Sequence, residues 1–419
     1  MKVTVVGGGS TYTPELVDGI ARLRDLLPVQ ELVLADPDAE RLELVAAMSR
    51  RMLAHADHPA DVVATTDVDA GVTDADAVLL QLRVGGQAAR IQDETWPMEC
   101  GCIGQETTGA GGLAKALRTV PVVLEIAETV RERAAEDAWI VDFTNPVGIV
   151  TRALLQAGHR AVGLCNVAIG FERYFAELLG VAPDEVTLGH VGLNHLTWER
   201  SVLLGGNNVL PGLIEQHGGE IAEHVDLPEW LVRELGVVPS YYLHYFYAHD
   251  AAVEAARGEQ TRGERVSEIE GTLLDMYADP KVETKPELLG ERGGAYYSEA
   301  AINLLASLTA DRGDVQVVNL RNDGTLPFLP DDAVIEVPAR VTAGGAVALP
   351  VDQVPPLYAG LIGHTFAYEQ LALEAAVHGG RERVFEALLA HPLVGQVEQA
   401  HQLTDRLLAA NRQHLGWAR

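Results

Sequence analysis

The chain reads as an α/β protein whose first part is a doubly wound parallel sheet. Three observations carry that reading. An apolar, β-branched run, Lys2-Val3-Thr4-Val5-Val6, leads straight into Gly7-Gly8-Gly9. Further short runs, apolar throughout, recur after it, and helical periodicity lies between them. Strands buried on both faces and separated by helices belong to a parallel sheet with helices on either side.

Beyond the three glycines, Leu16, Ile20, Leu23 and Leu27 fall on one face of a helix. Strand, glycine turn and helix in that order present backbone N–H groups and a helix N-terminus to a pyrophosphate. A Cβ would obstruct both the tight turn and the approach of phosphate. Gly7 and Gly9 take the first two places of the dinucleotide fingerprint. Tyr12 stands at the third, so a plain strand-to-helix turn is the alternative. The next run, Glu31-Leu32-Val33-Leu34-Ala35, ends on Asp36. An acid there accepts ribose hydroxyls and repels a 2′-phosphate, which points to NAD rather than NADP. The alternative is that Asp36, followed by Pro37, caps the next helix.

Strands are also expected at 77–82, 138–143 and 161–166, with a helix over 122–134. Ligands bind at the carboxyl ends of such strands, so Asp36, the loop after Leu82, Asn145 and Cys165 share one edge. After about residue 166 the pattern mixes helices with strands at 315–319 and 333–337. Gly344, Gly345 and Pro350 punctuate a strand-like region, and long helices follow. The expected division is residues 1–165, a cofactor domain, and 166–419, a second domain packed tightly on it.

With 419 residues, 47% hydrophobic and 22% charged, the chain supports a large soluble core. Lys and Arg number 31 against 60 Asp and Glu, a net charge of −29. That balance disfavours nucleic acid, which needs a basic face, but leaves room for a local arginine pocket. Cys100, Cys102 and Cys165 are too few and odd in number for a disulfide framework, which suits a reducing compartment. No signal-peptide pattern and no bilayer-length apolar run is visible, so a cytoplasmic protein without a membrane partner is expected.

Four segments carry chemistry. Cys165-Asn166 ends a strand, and Gly192-Leu193-Asn194-His195-Leu196 follows further on. A thiolate and an imidazole suit a borderline divalent metal with open positions for substrate. Alternatively, the one is a small buried apolar group and the other a structural histidine. Gly104-Gln105-Glu106-Thr107-Thr108-Gly109-Ala110-Gly111-Gly112 reads as a polar glycine-rich loop, preceded by Arg83 and Arg90. Arginine pairs bidentately with phosphate or carboxylate, and the alternative is a flexible surface loop. Pro239-Ser240-Tyr241-Tyr242-Leu243-His244-Tyr245-Phe246-Tyr247 is rich in tyrosine. Such runs build cores and interfaces, but a tyrosine acts as a base where a cation lowers its pKa. Glu291-Arg292-Gly293-Gly294-Ala295 is a second glycine-hinged segment.

Taken together, these segments resemble glycoside hydrolase family four, the NAD- and divalent-metal-dependent glycosidases, and within it the 6-phospho-β-glucosidases. The carriers are Gly7 to Glu15, Gly104-Gln105-Glu106-Thr107-Thr108-Gly109, Thr144-Asn145-Pro146, Cys165-Asn166, Gly192-Leu193-Asn194-His195, 239–245, Arg292-Gly293-Gly294-Ala295 and 319–329. The resemblance implies a Rossmann domain joined to a second α/β domain like that of lactate and malate dehydrogenases. It implies metal ligands Cys165 and His195, usually for manganese, and Tyr242 as the base. It implies Asn166 and Asn194 as residues that orient substrate hydroxyls, Asn166 beside the chemistry. Arg90, Asn145, Arg262 and Arg292 are expected at the substrate or its phosphate. The cofactor set is expected to be Gly7, Gly9, Ser10, Thr11, Asp36, Arg83 and Asn145.

The implied chemistry is oxidation of sugar carbon 3 by NAD⁺, proton abstraction at carbon 2, elimination of the aglycone, addition of water at carbon 1 and return of the hydride. NAD is then a true catalyst. A homodimer or homotetramer is expected. Two departures stand out: His244 replaces an arginine and Ala168 a proline usual in the 6-phospho-β-glucosidases. The first weakens the case for a phosphorylated sugar and keeps plain glycosides open. A malate dehydrogenase-type oxidoreductase is the rival on the same fold, but it has no use for Cys165 and His195.

Overall fold

The computed structural model describes residues 1–294 and 296–418. Ala295, the last residue of the Arg292 motif, lies outside the described residues. The strands, in chain order, are β1 (Lys2–Val6), β2 (Glu31–Ala35), β3 (Asp61–Thr65), β4 (Ala77–Leu80), β5 (Trp139–Asp142), β6 (Ala161–Gly163), β7 (Val186–Leu193), β8 (Leu196–Leu204), β9 (Asn207–Asn208), β10 (Val238–Pro239), β11 (Asp314–Arg321), β12 (Val334–Thr342) and β13 (Gly345–Ala348).

They form one continuous sheet, ordered β10-β8-β7-β12-β11-β6-β5-β4-β1-β2-β3, with β13 on β12 and β9 on β8. From β3 to β6 every pairing is parallel, in the strand order of a Rossmann fold. From β6 onward every pairing is antiparallel. Alternate residues of the parallel strands feed two cores. Val3, Val5, Ala77, Leu79 and Val141 enter one, and Val6, Val78, Leu80 and Ile140 the other. That is why these runs are apolar throughout rather than alternating.

The hinge between the two regimes is a row of residues in register. Gly163 pairs with Asn319, Asn319 with Glu336, and Glu336 with Gly192. It carries the sheet from the end of β6, next to Cys165, to the end of β7, next to His195. The C-terminal helices Pro356–His378, Arg381–Ala390 and Val397–Asn411 fold back on the first half, where Leu373, Leu388 and Leu403 share a core with Leu113 and Leu117.

Two expectations need correction. The first helix is Thr13–Arg22, so Leu23 caps it and Leu27 lies beyond, although Leu27 is still buried. The glycine-rich segment is a loop only up to Thr108. Gly109 to Gly112 form the first turn of the helix Gly109–Arg133, which starts well before the expected 122. Glycine is needed there for space: a Cβ on Gly111 would lie 2.3 Å from the Gln105 carbonyl oxygen. His391 caps this helix, its Nε2 accepting from Gly109 N at 2.9 Å.

Candidate active site

A cavity of about 1060 Å³ runs along the carboxyl edge of the parallel strands and under the antiparallel half. Its walls include Gly7, Ser10, Asp36, Arg83, Arg90 and Asn145, and also Asn166, His195, Tyr242, Arg262 and Arg292.

The glycine turn forms one end. Gly7 sits at φ +88°, and its N–H and that of Gly8 donate to the Ala35 carbonyl at 2.9 and 3.0 Å. A Cβ on Gly7 would lie 2.6 Å from the Gln81 carbonyl oxygen. Asp36 accepts from Gly9 N at 3.1 Å and from Asp38 N at 3.0 Å. The next helix is capped by Asp38, which accepts from Arg41 N at 3.1 Å, so Asp36 is not its cap. Burial raises the Asp36 pKa, with both backbone donors opposing. Each carboxylate oxygen keeps a lone pair for a ligand on the cavity wall.

Thr11 is fully buried and donates to Glu270 Oε1 at 3.1 Å. Arg292 is tied to the same turn. Its Nη2 reaches Glu270 at 2.8 Å, and its Nε donates to Thr11 Oγ1 at 2.8 Å. Arg41 reaches Glu270 Oε2 at 3.1 Å and donates from Nε to the Gly9 carbonyl at 2.7 Å. Burial opposes the charge of Glu270, but Arg292 and Arg41 outweigh it and pull the carboxyl down to about 2.

The middle of the cavity holds a buried charge cluster. Glu106 accepts from Arg83, from Lys115 Nζ at 2.8 Å and from Arg90 Nη2 at 3.3 Å. Burial works against its charge, and Arg83, Lys115 and Arg90 overcome it, holding Glu106 well below the usual carboxylate range. Burial pushes Lys115 down to about 8. Arg90 also bonds Glu94 at 2.8 Å. Arg262 opens the helix Arg262–Ala278, and its Nη2 donates to the Glu291 carbonyl at 2.7 Å. Among the described residues it has no carboxylate within ion-pair distance, unlike Arg90 and Arg292. Asn145 lines the same cavity, and its buried Oδ1 has no hydrogen-bond partner among the described residues.

The far end is aromatic and dry. His195 stacks on Tyr242, ring centroids 3.7 Å apart and planes 11° from parallel. It occupies the two-residue turn joining β7 to β8, at φ +63°. Thr107 Oγ1 donates to Gln105 Oε1 at 2.7 Å. It therefore accepts from His195 Nδ1 at 3.0 Å, which leaves Nε2 of the neutral ring bare. Burial lowers the His195 pKa to about 4. Cys165 lies just below the cavity surface, and burial pushes its thiol up to about 12. Burial likewise raises the Tyr242 hydroxyl well above its ordinary value. Asn166 stands between Cys165 and the helix Val167–Leu179.

Asn194 is held from behind. Its Nδ2 donates to Glu336 Oε2 at 2.8 Å, as does Asn319 Nδ2 at 2.8 Å. The other oxygen of Glu336 takes His190 at 2.9 Å, and His190 binds Glu199 at 2.6 Å. Glu199 and Glu336 outweigh burial and raise His190 to about 10. His244 turns away from the cavity: its Nδ1 bonds the Asp226 carbonyl at 2.8 Å.

Of the expected site residues, Gly7, Ser10, Asp36, Arg83, Arg90, Asn145, Asn166, His195, Tyr242, Arg262 and Arg292 line one cavity, whereas Gly9, Thr11, Cys165 and Asn194 do not reach its surface. The sequence reading passed over Arg41, Lys115, Glu270 and Glu336. Glu336 left a visible sign, a lone charge inside the apolar run Ala333-Val334-Ile335-Glu336-Val337. Glu270 left none: two of its partners, Thr11 and Arg41, lie more than two hundred residues away.

A dinucleotide and a divalent cation can each be tested against these groups. The glycine turn, Asp36 and the unpartnered Asn145 oxygen fit a dinucleotide. Bare imidazole nitrogen beside a thiol fits a borderline cation. Among the described residues no group of three or more His, Cys, Asp or Glu could hold a metal alone, so substrate oxygens would have to complete its shell.

The fold and cavity define a Rossmann enzyme that couples a dinucleotide site to a thiol–imidazole–phenol pocket. Residues 2–181 match the model of family 4 glycosyl hydrolases, and 190–394 match that of the family 4 C-terminal domain. The chain belongs to glycosyl hydrolase family 4. It is 40% identical to a "Probable 6-phospho-beta-glucosidase" of Bacillus subtilis (strain 168), covering 99% of this chain and 97% of that one. The 6-phospho-beta glucosidase of Thermotoga maritima, solved with manganese, NAD⁺ and glucose-6-phosphate, is 34% identical, with a TM-score of 0.93 over 99% of each chain. Malate dehydrogenase from Salinibacter ruber shares the fold alone, at 18% identity and a TM-score of 0.55 over 91% of this chain and 99% of that one.

Proposed function

We propose that this protein hydrolyses 6-phospho-β-glucosides with NAD and a divalent cation, manganese by preference. The observation that carries the reading is the stack of His195 on Tyr242 in the same cavity as Gly7 and Asp36, with the Cys165 thiol hydrogen-bonded to the neighbouring Asn194. The relatives named above support the phosphosugar, the NAD and the manganese.

Gly7, Gly9, Ser10 and Asp36 would seat the dinucleotide, with Thr11 and Arg292 bracing the turn from below. Cys165 Sγ and His195 Nε2 would hold the cation. When bound, the dinucleotide takes and returns a hydride at carbon 3, and the cation acts as a Lewis acid on neighbouring oxygens. Tyr242 removes the carbon 2 proton, and Asn166 and Asn194 orient hydroxyls beside it. Burial alone keeps the Tyr242 hydroxyl protonated and so unavailable as a base. A cationic neighbourhood reverses that, and Arg90 already supplies part of it, since its own raised pKa, held up against burial chiefly by Glu106 and Glu94, includes a contribution from Tyr242. Departure of the aglycone, addition of water at carbon 1 and return of the hydride leave no net redox change.

Arg262, with no carboxylate partner, is the arginine we assign to the 6-phosphate, with Arg90 beside it. Asn145 is placed where cofactor and sugar meet, and Arg83 acts through Glu106. In this reading residues 1–165 hold the cofactor and contribute Cys165 at their end, and 166–419 supply His195 and most substrate groups. The three cysteines are all free, which supports the cytoplasm as the compartment. Assembly as a homodimer or homotetramer belongs to the same proposal. No helix among the described residues is long and apolar enough to cross a membrane.

The test is a panel of phosphorylated and plain α- and β-nitrophenyl glycosides with NAD⁺ and manganese. The 6-phospho-β-glucoside should show the highest kcat/KM and no NADH should accumulate. A better plain glycoside refutes the phosphate assignment, and stoichiometric NADH refutes the hydrolase.

A further inference from the structure

Arg41 stands where a dinucleotide enzyme chooses between its two cofactors. It donates to the carbonyl of Gly9, while Asp36 accepts from the N–H of the same residue, at 2.7 and 3.1 Å. Both side chains line the cavity. In NADP-binding folds an arginine near this acid accommodates the 2′-phosphate. Here the guanidinium is turned inward to Glu270, whose side chain is only 6% exposed. Glu270 lies on the helix Arg262–Ala278, far along the chain, and also takes Arg292, Thr11 and Gln87.

We infer that Glu270 is a specificity-determining residue: by pinning Arg41 inward it withholds a cation that would welcome a 2′-phosphate beside Asp36. The inference rests on the dinucleotide site proposed above. Two features of the geometry point this way. Arg41 is bonded on two sides, to Gly9 and Glu270, so it is not a loose surface charge. Glu270 is the carboxylate within ion-pair distance of Arg41, and Asp36 is not. Selection of NAD then has two parts, repulsion by Asp36 and denial of Arg41 by Glu270.

The experiment measures binding of NAD⁺ and NADP⁺ to the full-length protein by titration calorimetry, without substrate or turnover. The variants are Glu270→Gln, Arg41→Ala and the double variant. The wild type should prefer NAD⁺. Glu270→Gln should narrow the NADP⁺/NAD⁺ Kd ratio by about fivefold or more, within the coupling expected of touching charges. The double variant should restore the wild-type ratio, because Arg41 is the agent. Arg41→Ala alone should weaken both dinucleotides alike and leave the ratio within about twofold, the additive expectation for an uncoupled site. A purely structural Glu270 would lower affinity for both cofactors without changing the ratio, and that result overturns the inference. So does a narrowing that survives in the double variant. Should Glu270→Gln fail to fold, a ratio altered in Arg41→Ala refutes the inference, and an unchanged ratio supports it. A wild type that binds neither dinucleotide refutes the cofactor reading, and the inference with it. One that binds NAD⁺ with Glu270→Gln unchanged in ratio refutes the inference alone.

Discussion

Two turns line the same cavity, and each needs a backbone that most residues avoid. Gly7 sits at φ +88° and His195 at φ +63°. At the first, the turn needs a positive φ and a close approach to the Gln81 backbone, and glycine meets both demands. At the second, the site needs an imidazole, so a side chain is held where glycine would be easier, at a cost of about 1–3 kcal/mol. The β7–β8 hairpin, the stack on Tyr242 and the bond to Thr107 offset that cost. The surroundings differ in the same sense. The glycine turn is braced by ion pairs around Glu270, whereas the His195 turn is dry, with burial keeping its neighbours neutral. Of these two turns, the strained one is the one that carries a chemical side chain.

The largest effect should come from the dry end. Tyr242→Phe keeps the ring that stacks on His195 and removes the base, so kcat should fall by about 10²–10⁴ with NAD⁺ affinity unchanged. Full activity in that variant would move the base elsewhere, Tyr241 being next.

The turns themselves can be exchanged in kind. His195→Asn keeps a residue that tolerates the left-handed region but removes the imidazole. Manganese binding measured by calorimetry should be lost, while the melting temperature changes little. Gly7→Ala should do the reverse. Its Cβ would meet the Gln81 carbonyl, and the strained φ adds about 1–3 kcal/mol. Cofactor binding and the melting temperature should both drop, with manganese binding kept. Matching outcomes from the two variants would erase the contrast drawn between the turns.

A smaller effect belongs to the support of Asn194. His190 is raised from about 6.5 to about 10 by Glu199 and Glu336, against burial. A raised histidine contributes its stability in full below the unfolded pKa and loses it as pH climbs through the folded one. The melting-temperature gap between the protein and His190→Gln should therefore shrink between pH 6.5 and 10. A gap that is flat across that window would mean His190 is neutral in the fold.

Much of the cofactor edge was legible in the chain, because it is written locally. Val3 to Gly9 contains strand, turn and space requirement in one stretch, and Asp36 marks the end of the next strand. The pocket of Cys165, His195 and Tyr242 was legible only as separate segments and as a resemblance, since the sheet row Gly163–Asn319–Glu336–Gly192 joins them across distant strands. Glycines at 109–112 misled in the other direction: glycine served close packing at a helix start, not a loop. Arg292 is expected at the substrate through the resemblance alone, and its hydrogen bonds direct it to Glu270; His244, the departure from the family's arginine, bonds the Asp226 carbonyl.

The most direct measurement is turnover of a 6-phospho-β-glucoside in heavy water, with NAD⁺ and manganese, and the product read by proton NMR. Abstraction at carbon 2 by Tyr242 requires that bond to break and be remade from solvent. The glucose 6-phosphate formed should carry deuterium at carbon 2. Product with protium retained there would contradict the mechanism.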